Sequence, residues 1–417
     1  MSDILDEQLK SSGLAQVIVT LKRPGETAAA ANSLRGHFRL GETAPQTAMA
    51  AALSDPGQPQ GAAAGASAPQ SMRIFRNLGI MLGTVDRAGL AALRADKANV
   101  ARVTGAPILS LIRPSVRLAA AKPRTAVTWG VAALEANRVW KMGYDGSGIR
   151  VGHLDTGVDG RHPALRGAIA DFAEFDRMGN LVNPSPSPFD SEDHGTHTAA
   201  TIAGRPVKLD GKQRHVGVAP GAMLVSALVI EGGDVIARVL GGMDWAVGKG
   251  VRVLNMSLGI RGIWSDFESV TQTLRDRGVL PVFAVGNEGA GNSRSPGNYV
   301  EALSVGAVDR SGNVPEFSSS QRFSRGNDPL VPDVVAPGVN VISAAPGGGY
   351  QSMDGSSMAT PHIAGLAALL LQAKPTAAPD EIEAAIYASC RGGGGMPQDR
   401  ANRGLPNAPR ALAQLLA

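Results

Sequence analysis

Behind residue 147 the chain alternates between two kinds of segment, and this alternation restricts the possible folds more than any other feature. Short apolar runs stand at 148–155 (GIRVGHLD), 222–230 (AMLVSALVI), 251–257 (VRVLNMS), 279–285 (VLPVFAV) and 302–308 (ALSVGAV). Helical composition fills 234–250 and a stretch near 265–277. Two further helices follow at 356–374 and 378–389, the second with Asp380 as its N-cap. Runs of this length and composition suit strands buried on both faces. Strands separated by helices pair in parallel, with helices covering the sheet. The pattern predicts an α/β fold, a mostly parallel sheet with helices on both faces. No internal repeat is evident.

The front third follows a different order. Strand composition at 15–21, helix at 27–38, one or two strands in 72–85, helix at 87–96 and strand at 99–112 make β-α-β-β-α-β. That is the order of a small α+β domain of split βαβ, ferredoxin-like form. Inside it, 55–70 (DPGQPQGAAAGASAPQ) reads as a flexible insert. Residues 114–128 carry no period, and the boundary is read there. The expected domains are 1–122 and 123–417.

Composition excludes several classes. The net charge is +4, divided as 14 Lys/Arg against 8 Asp/Glu in 1–122 and 26 against 28 in the remainder. A basic front piece on a slightly acidic body favours docking of the two, weakly because salt screens it. No basic run with interleaved aromatics marks nucleic acid as a partner. The longest apolar run, near 363–371, is too short to span a membrane. The opening segment lacks the charged and apolar regions of a signal peptide, so a cytoplasmic location is expected, with non-classical export as the alternative. One cysteine, Cys390, permits no intrachain disulfide and reads as a small buried apolar residue.

Four segments could carry chemistry. Asp155 ends the first strand in HLDTGVDG, where a parallel sheet gathers reactive groups, although an Asp there also caps turns. In HGTHTA, His194 and His197 are three apart with Gly and Thr between them. Zinc helices place two histidines at i and i+4 with a Glu between, so the metal reading is weak. His194 alone reads as a capping or surface residue, and His197 packs or caps. In DGSSMATPH two serines open a long apolar helix. Such a serine is ordinarily an N-cap, yet the helix N-terminus also favours developing negative charge. Pro361 is tolerated because the first turn needs no N–H donor from it. In VFAVGNEG, Asn287 follows a strand end and either occupies a turn or donates to an oxyanion.

Together the order Asp155, His194, Ser357 resembles that of the subtilisin-like serine proteases, the subtilases. DTGVDGRHPAL, HGTHTA, GSSMATPH and AVGNEG are similar to that family's Asp, His, Ser and oxyanion Asn motifs. NMSLG, GVAPGA and PDVVAPG match further segments, over about residues 125–415. The resemblance implies a serine endopeptidase acting on proteins or peptides. Ser357 would be its nucleophile, His194 its general base, Asp155 the orienting carboxylate and Asn287 an oxyanion donor. Ser257, Leu258, Gly259, Gly286 and Arg294 would line the substrate cleft, Arg294 either selecting an acidic residue or facing solvent. The front domain would be a propeptide and intramolecular inhibitor. Its tail near 113–124 would lie in the cleft, with self-cleavage in or near it.

The chain departs from the family pattern in several places. Ser356 stands where Thr is usual, and Asp354 where Ser is common. Ala164 replaces a frequent calcium-binding Asp, so no cofactor is expected to be required, a weak calcium site aside. His153, two residues before Asp155 on the same strand face, replaces an apolar residue and either packs or tunes the triad. The alternative reading is a catalytically silent or permanently self-inhibited binding protein of the same fold. Nucleotide binding is disfavoured, because neither GNEGAG nor RGGGG is followed by Gly-Lys-Ser/Thr.

Overall fold

A computed structural model describes residues 4–40, 72–182, 186–231, 235–326 and 328–417. The insert expected at 55–70 lies outside the described residues. The larger part is built on seven strands in the order Val334–Pro337, Leu303–Val308, Leu280–Ala284, Val253–Met256, Arg150–Asp155, Met223–Leu228 and Ile169–Glu174. All six pairings are parallel. The five expected strands are present, and two more, Ile169–Glu174 and Val334–Pro337, occupy the edges. Chain order reverses about Arg150–Asp155, whose neighbours are Met223–Leu228 on one side and Val253–Met256 on the other. A crevice therefore opens at its carboxyl end, where Asp155 stands.

Each face of the sheet has its own core. On one, the helices His194–Ala203 and Ser356–Ala373 pack with Val151, Val253, Val282 and Val305. Every residue from Ser356 to Leu371 is buried, as a helix apolar on all sides requires. On the other, Ile236–Gly248 and Glu268–Asp276 cover Leu154, Val225, Leu254 and Phe283. Among the described residues, no helix is long and apolar enough to cross a membrane. The helix expected at 378–389 is Pro379–Ser389, but Asp380 does not cap it. Ala378 is the N-cap, and its N–H donates to Glu381 Oε2 at 2.8 Å. Asp380, already inside the helix, pairs with Arg275.

The front part forms a four-stranded antiparallel sheet, ordered Arg73–Phe75, Ile80–Asp86, Leu14–Leu21, Val100–Gly105. With the helices Thr27–Leu34 and Arg87–Ala95 this is the expected β-α-β-β-α-β unit, preceded by a further helix, Ile4–Ser11. Alternation along its strands splits the burial in two. Val17 and Val19 face the unit's own helices, with Leu34, Leu90 and Leu93. Ile18, Ile80 and Leu82 join the core that contains Val239, Met243 and Leu274 of the larger part. Polar contacts fix the docking. Leu78 N donates to Asp244 Oδ1 at 2.9 Å and Gly105 N to Asp266 Oδ1 at 3.0 Å. Arg102 pairs with Glu268, a front cation on a rear anion, as the charge division suggests.

Candidate active site

The helix His194–Ala203 begins beside the turn after Asp155 because two residues leave room and bonds for it. A Cβ on Gly195 would lie 2.0 Å from Gly157 O, so only glycine permits this approach. Asp190 then ties the parts together. It accepts Thr196 N at 2.7 Å, at the helix start, and Thr156 Oγ1 at 2.7 Å, in the turn. The result places His194 Nδ1 2.7 Å from Asp155 Oδ1, with both side chains fully buried. Asp155 Oδ1 also accepts the Thr156 N–H at 2.8 Å. Burial pulls the imidazole of His194 down, but the charge and hydrogen bond of Asp155, with Asp190 and Glu192 beyond, outweigh it and raise its pKa. Burial likewise opposes ionisation of Asp155, and His194 overcomes this, holding the carboxyl below its usual range. His197 takes no part. Its Nε2 donates to Val341 O at 2.9 Å, and burial lowers it to about 3.

Ser357 is the second residue of the helix Ser356–Ala373. Ser356, in place of the usual Thr, fixes Asn287: its N–H and its hydroxyl both donate to Asn287 Oδ1 at 2.9 Å. Asn287 Nδ2 is thereby turned into the cleft. Pro361 lies in the second turn of this helix, not the first, and leaves the Ser357 carbonyl without its helical donor. Ser257 Oγ donates to that carbonyl at 3.3 Å.

The cleft holds the chain's own segment. Ser110–Leu111 pairs antiparallel with Leu258–Arg261, Ser110 opposite Gly259 and Leu111 opposite Leu258. Ile112 N donates to Ser257 O at 3.0 Å. Past the serine, Val116–Leu118 pairs antiparallel with Gly349–Asp354. The tail thus enters the cleft several residues earlier than the expected 113–124. Ser357 Oγ donates to Ile112 O at 2.6 Å, and Asn287 Nδ2 to Arg113 O at 2.9 Å. His194 Nε2, the nitrogen that would take a proton, is buried without a hydrogen-bond partner among the described residues. The structure brings Asp155 and His194 into contact and Ser357 and Asn287 onto the tail, while the serine hydroxyl is engaged by the tail instead of by His194.

Arg294 is neither solvent-facing nor available to an acidic side chain. It is buried, its Nε donates to Glu288 Oε1 at 2.8 Å, and Nη1 reaches Ser110 Oγ at 3.1 Å. Its charge is already compensated, which removes the basis for an acidic preference. Gly286, at φ +121°, turns the chain after Leu280–Ala284; a Cβ there would meet Glu288 Oε2 at 2.5 Å. Sequence reasoning missed Glu192 and Asp193. They pair with Arg113, at 3.0 Å, and Arg117, at 2.9 Å, of the tail. The acidic run SED before His194 is the signal that would have found them.

Ala164, at the position of a frequent calcium ligand, is buried, its side chain carries no oxygen for an ion, and its carbonyl already accepts the Arg205 N–H at 2.6 Å. Among the described residues no group of three or more His, Cys, Asp or Glu could hold a metal. Cys390 donates weakly to Ile386 O, and burial pushes its thiol up to about 12, far from a reactive thiolate.

The model of the Subtilase family matches residues 146–408. The chain is 39% identical over 252 residues to M-protease of Shouchella clausii (strain KSM-K16), covering 60% of this chain and 61% of that protein. It is 39% identical over 252 residues to Subtilisin Savinase of Lederbergia lenta, covering 60% of this chain and 86% of that protein. Subtilisin E of Bacillus subtilis (strain 168) is 36% identical over 256 residues, covering 60% and 62%.

Proposed function

Because the chain belongs to the subtilase family, we propose that it is a serine endopeptidase made as a zymogen, which first cuts itself between Ile112 and Arg113. One observation carries this reading: the uncut chain crosses the cleft and sets the Ile112 carbonyl oxygen 2.6 Å from Ser357 Oγ. In the reaction Ser357 Oγ attacks the Ile112 carbonyl carbon. His194 Nε2 takes the hydroxyl proton and later gives it to the leaving amine of Arg113. Asp155 keeps the other ring proton on Nδ1 and stabilises the imidazolium. Asn287 Nδ2 and Ser357 N hold the oxyanion, and water then releases the acyl group.

The bound tail is one carbonyl out of place for that reaction. Asn287 Nδ2 holds Arg113 O, and the serine hydroxyl faces Ile112 O. Cleavage requires the hydroxyl to turn to His194 and the Ile112 carbonyl to reach Asn287. Until then the front domain and its tail act as an intramolecular inhibitor. The same contact favours a second reading, a permanently self-inhibited protein. Protein or peptide substrates would follow the tail's path, with Glu192 and Asp193 favouring basic residues beyond the cut bond. Hydrolysis by these groups needs no cofactor.

The test is incubation of the purified chain beside its Ser357→Ala variant, followed by N-terminal sequencing of the fragments. The wild type yields a fragment starting at Arg113, with or without EDTA, and the variant stays whole. A fragment starting at Pro114 would move the cut to the carbonyl that Asn287 holds. A wild-type chain that stays whole overturns self-processing and leaves the permanently inhibited reading.

A further inference from the structure

We propose that His153 and Thr198 are positioning residues of the triad: a neutral His153, protonated on Nε2, holds the Thr198 hydroxyl so that it donates to Asp155 Oδ2. The residues come from three elements. His153 lies on Arg150–Asp155, Thr198 on the helix His194–Ala203 and Ser226 on the neighbouring strand Met223–Leu228. All three are fully buried. His153 Nδ1 is 2.9 Å from Ser226 Oγ, and Nε2 is 2.9 Å from Thr198 Oγ1. Thr198 Oγ1 is 3.1 Å from Asp155 Oδ2. The two oxygens of Asp155 thus have separate partners, Oδ1 receiving His194 and Thr156, and Oδ2 receiving Thr198.

Counting protons sets the direction of this chain. Thr198 has one hydroxyl proton and three acceptors within reach: Asp155 Oδ2, His194 O at 3.2 Å and Gly195 O at 3.1 Å. A carboxylate can only accept, and among the described residues Thr198 is the one hydrogen-bond donor to Oδ2. If His153 carried its proton on Nδ1, Nε2 would compete for the Thr198 proton, and the buried Ser226 hydroxyl would lack an acceptor. With the proton on Nε2, Ser226 donates to Nδ1, Nε2–H donates to Thr198, and Thr198 donates to Asp155. Every group is then satisfied, as buried polar groups require. An apolar residue at 153 would leave Thr198 free to turn to the backbone carbonyls. The charges facing the ring are Asp155, 3.7 Å away, and Asp190 and His194. Burial opposes a charged His153 and outweighs the two carboxylates.

This inference rests on Asp155 and His194 being the acid–base pair, and its test has one arm that needs no turnover. In the full-length Ser357→Ala chain labelled with nitrogen-15 histidine, His153 is assigned by the signals lost in His153→Gln. The expected shifts at pH 7 are those of a neutral ring with bare Nδ1 and protonated Nε2. A charged ring or a protonated Nδ1 overturns the proposal. In the active chain, Thr198→Val should lower kcat by about tenfold or more with KM nearly unchanged. It should also raise the acid limb of kcat/KM, since the carboxylate then concentrates its charge on the oxygen facing His194. Thr198→Ser should restore both. Wild-type kcat and an unmoved acid limb in a Thr198→Val protein with unchanged melting would sink the idea. Should that variant not fold, the low-field His194 Nδ1–H resonance decides, shifted in His153→Val and restored in His153→Gln. An inactive wild-type chain would count against the protease reading, whereas the nitrogen shifts stand apart from it.

Discussion

His194 is subject to two opposed influences, and their balance sets where the protein can work. Burial disfavours its charged form, while Asp155 at 2.7 Å, with Asp190 and Glu192, favours it, and the net effect is upward from 6.5. A general base must be neutral, so turnover should appear as pH rises through that raised value. The acid limb of kcat/KM for a peptide substrate should therefore lie above 6.5, measured on the processed enzyme. A limb below 6.5 would mean that Asp155 does not support the imidazole. At this scale Asp155, His194, Ser357 and Asn287 could be picked out as candidates, because each stands in a short local motif. Asp190, Thr198 and Glu192 could not. Thr198 is an ordinary helical residue until the fold lays it against His153 and Asp155, and Asp190 acts on a turn 34 residues earlier.

The helix Ser356–Ala373 shows how one element serves both packing and site. Pro361 removes the N–H that Ser357 O would accept, and Ser257 Oγ supplies the replacement at 3.3 Å. Ser257→Ala leaves that buried carbonyl unpaired and should cost about 1 kcal/mol of unfolding free energy, read from the denaturant midpoint at constant m. No change would show that the contact adds nothing. Central strands were legible because both their faces are buried and their apolar runs are continuous. Ile169–Glu174 was missed because it is an edge strand with half-buried positions and two carboxylates. Val334–Pro337 was missed because four residues ending in proline carry little period. Asp380 failed as a cap because Pro379 begins the helix one residue earlier and Glu381 serves Ala378 instead.

Over the whole molecule, acid should unfold the chain through histidines that the fold keeps neutral. His197 is lowered to about 3 and His362 to about 4, chiefly by burial. The unfolded chain binds these protons near 6.5 and the folded chain does not, so their contribution is whole above pH 6.5. It is lost as pH falls toward 4 and then 3. For His362 alone the loss is roughly 3 kcal/mol. Denaturant midpoints of the Ser357→Ala chain should fall steeply between pH 6.5 and 4, and a flat profile would contradict the buried neutral rings. The expected division into 1–122 and 123–417 rests on the loss of period over 114–128. The docking was not legible, since Asp244 and Asp266 accept backbone N–H groups that no side-chain pattern reveals. The tail, finally, is a strand in two small sheets, one on each side of Ser357. The proposed cut after Ile112 would leave one of these strands on the front part and the other on the rest of the chain. Before such a cut the front part, if it inhibits as proposed, would act at the effective concentration of a tethered chain, whatever the dilution. Afterwards its hold would follow mass action, so dilution or destruction of the free front part would become the event that opens the cleft.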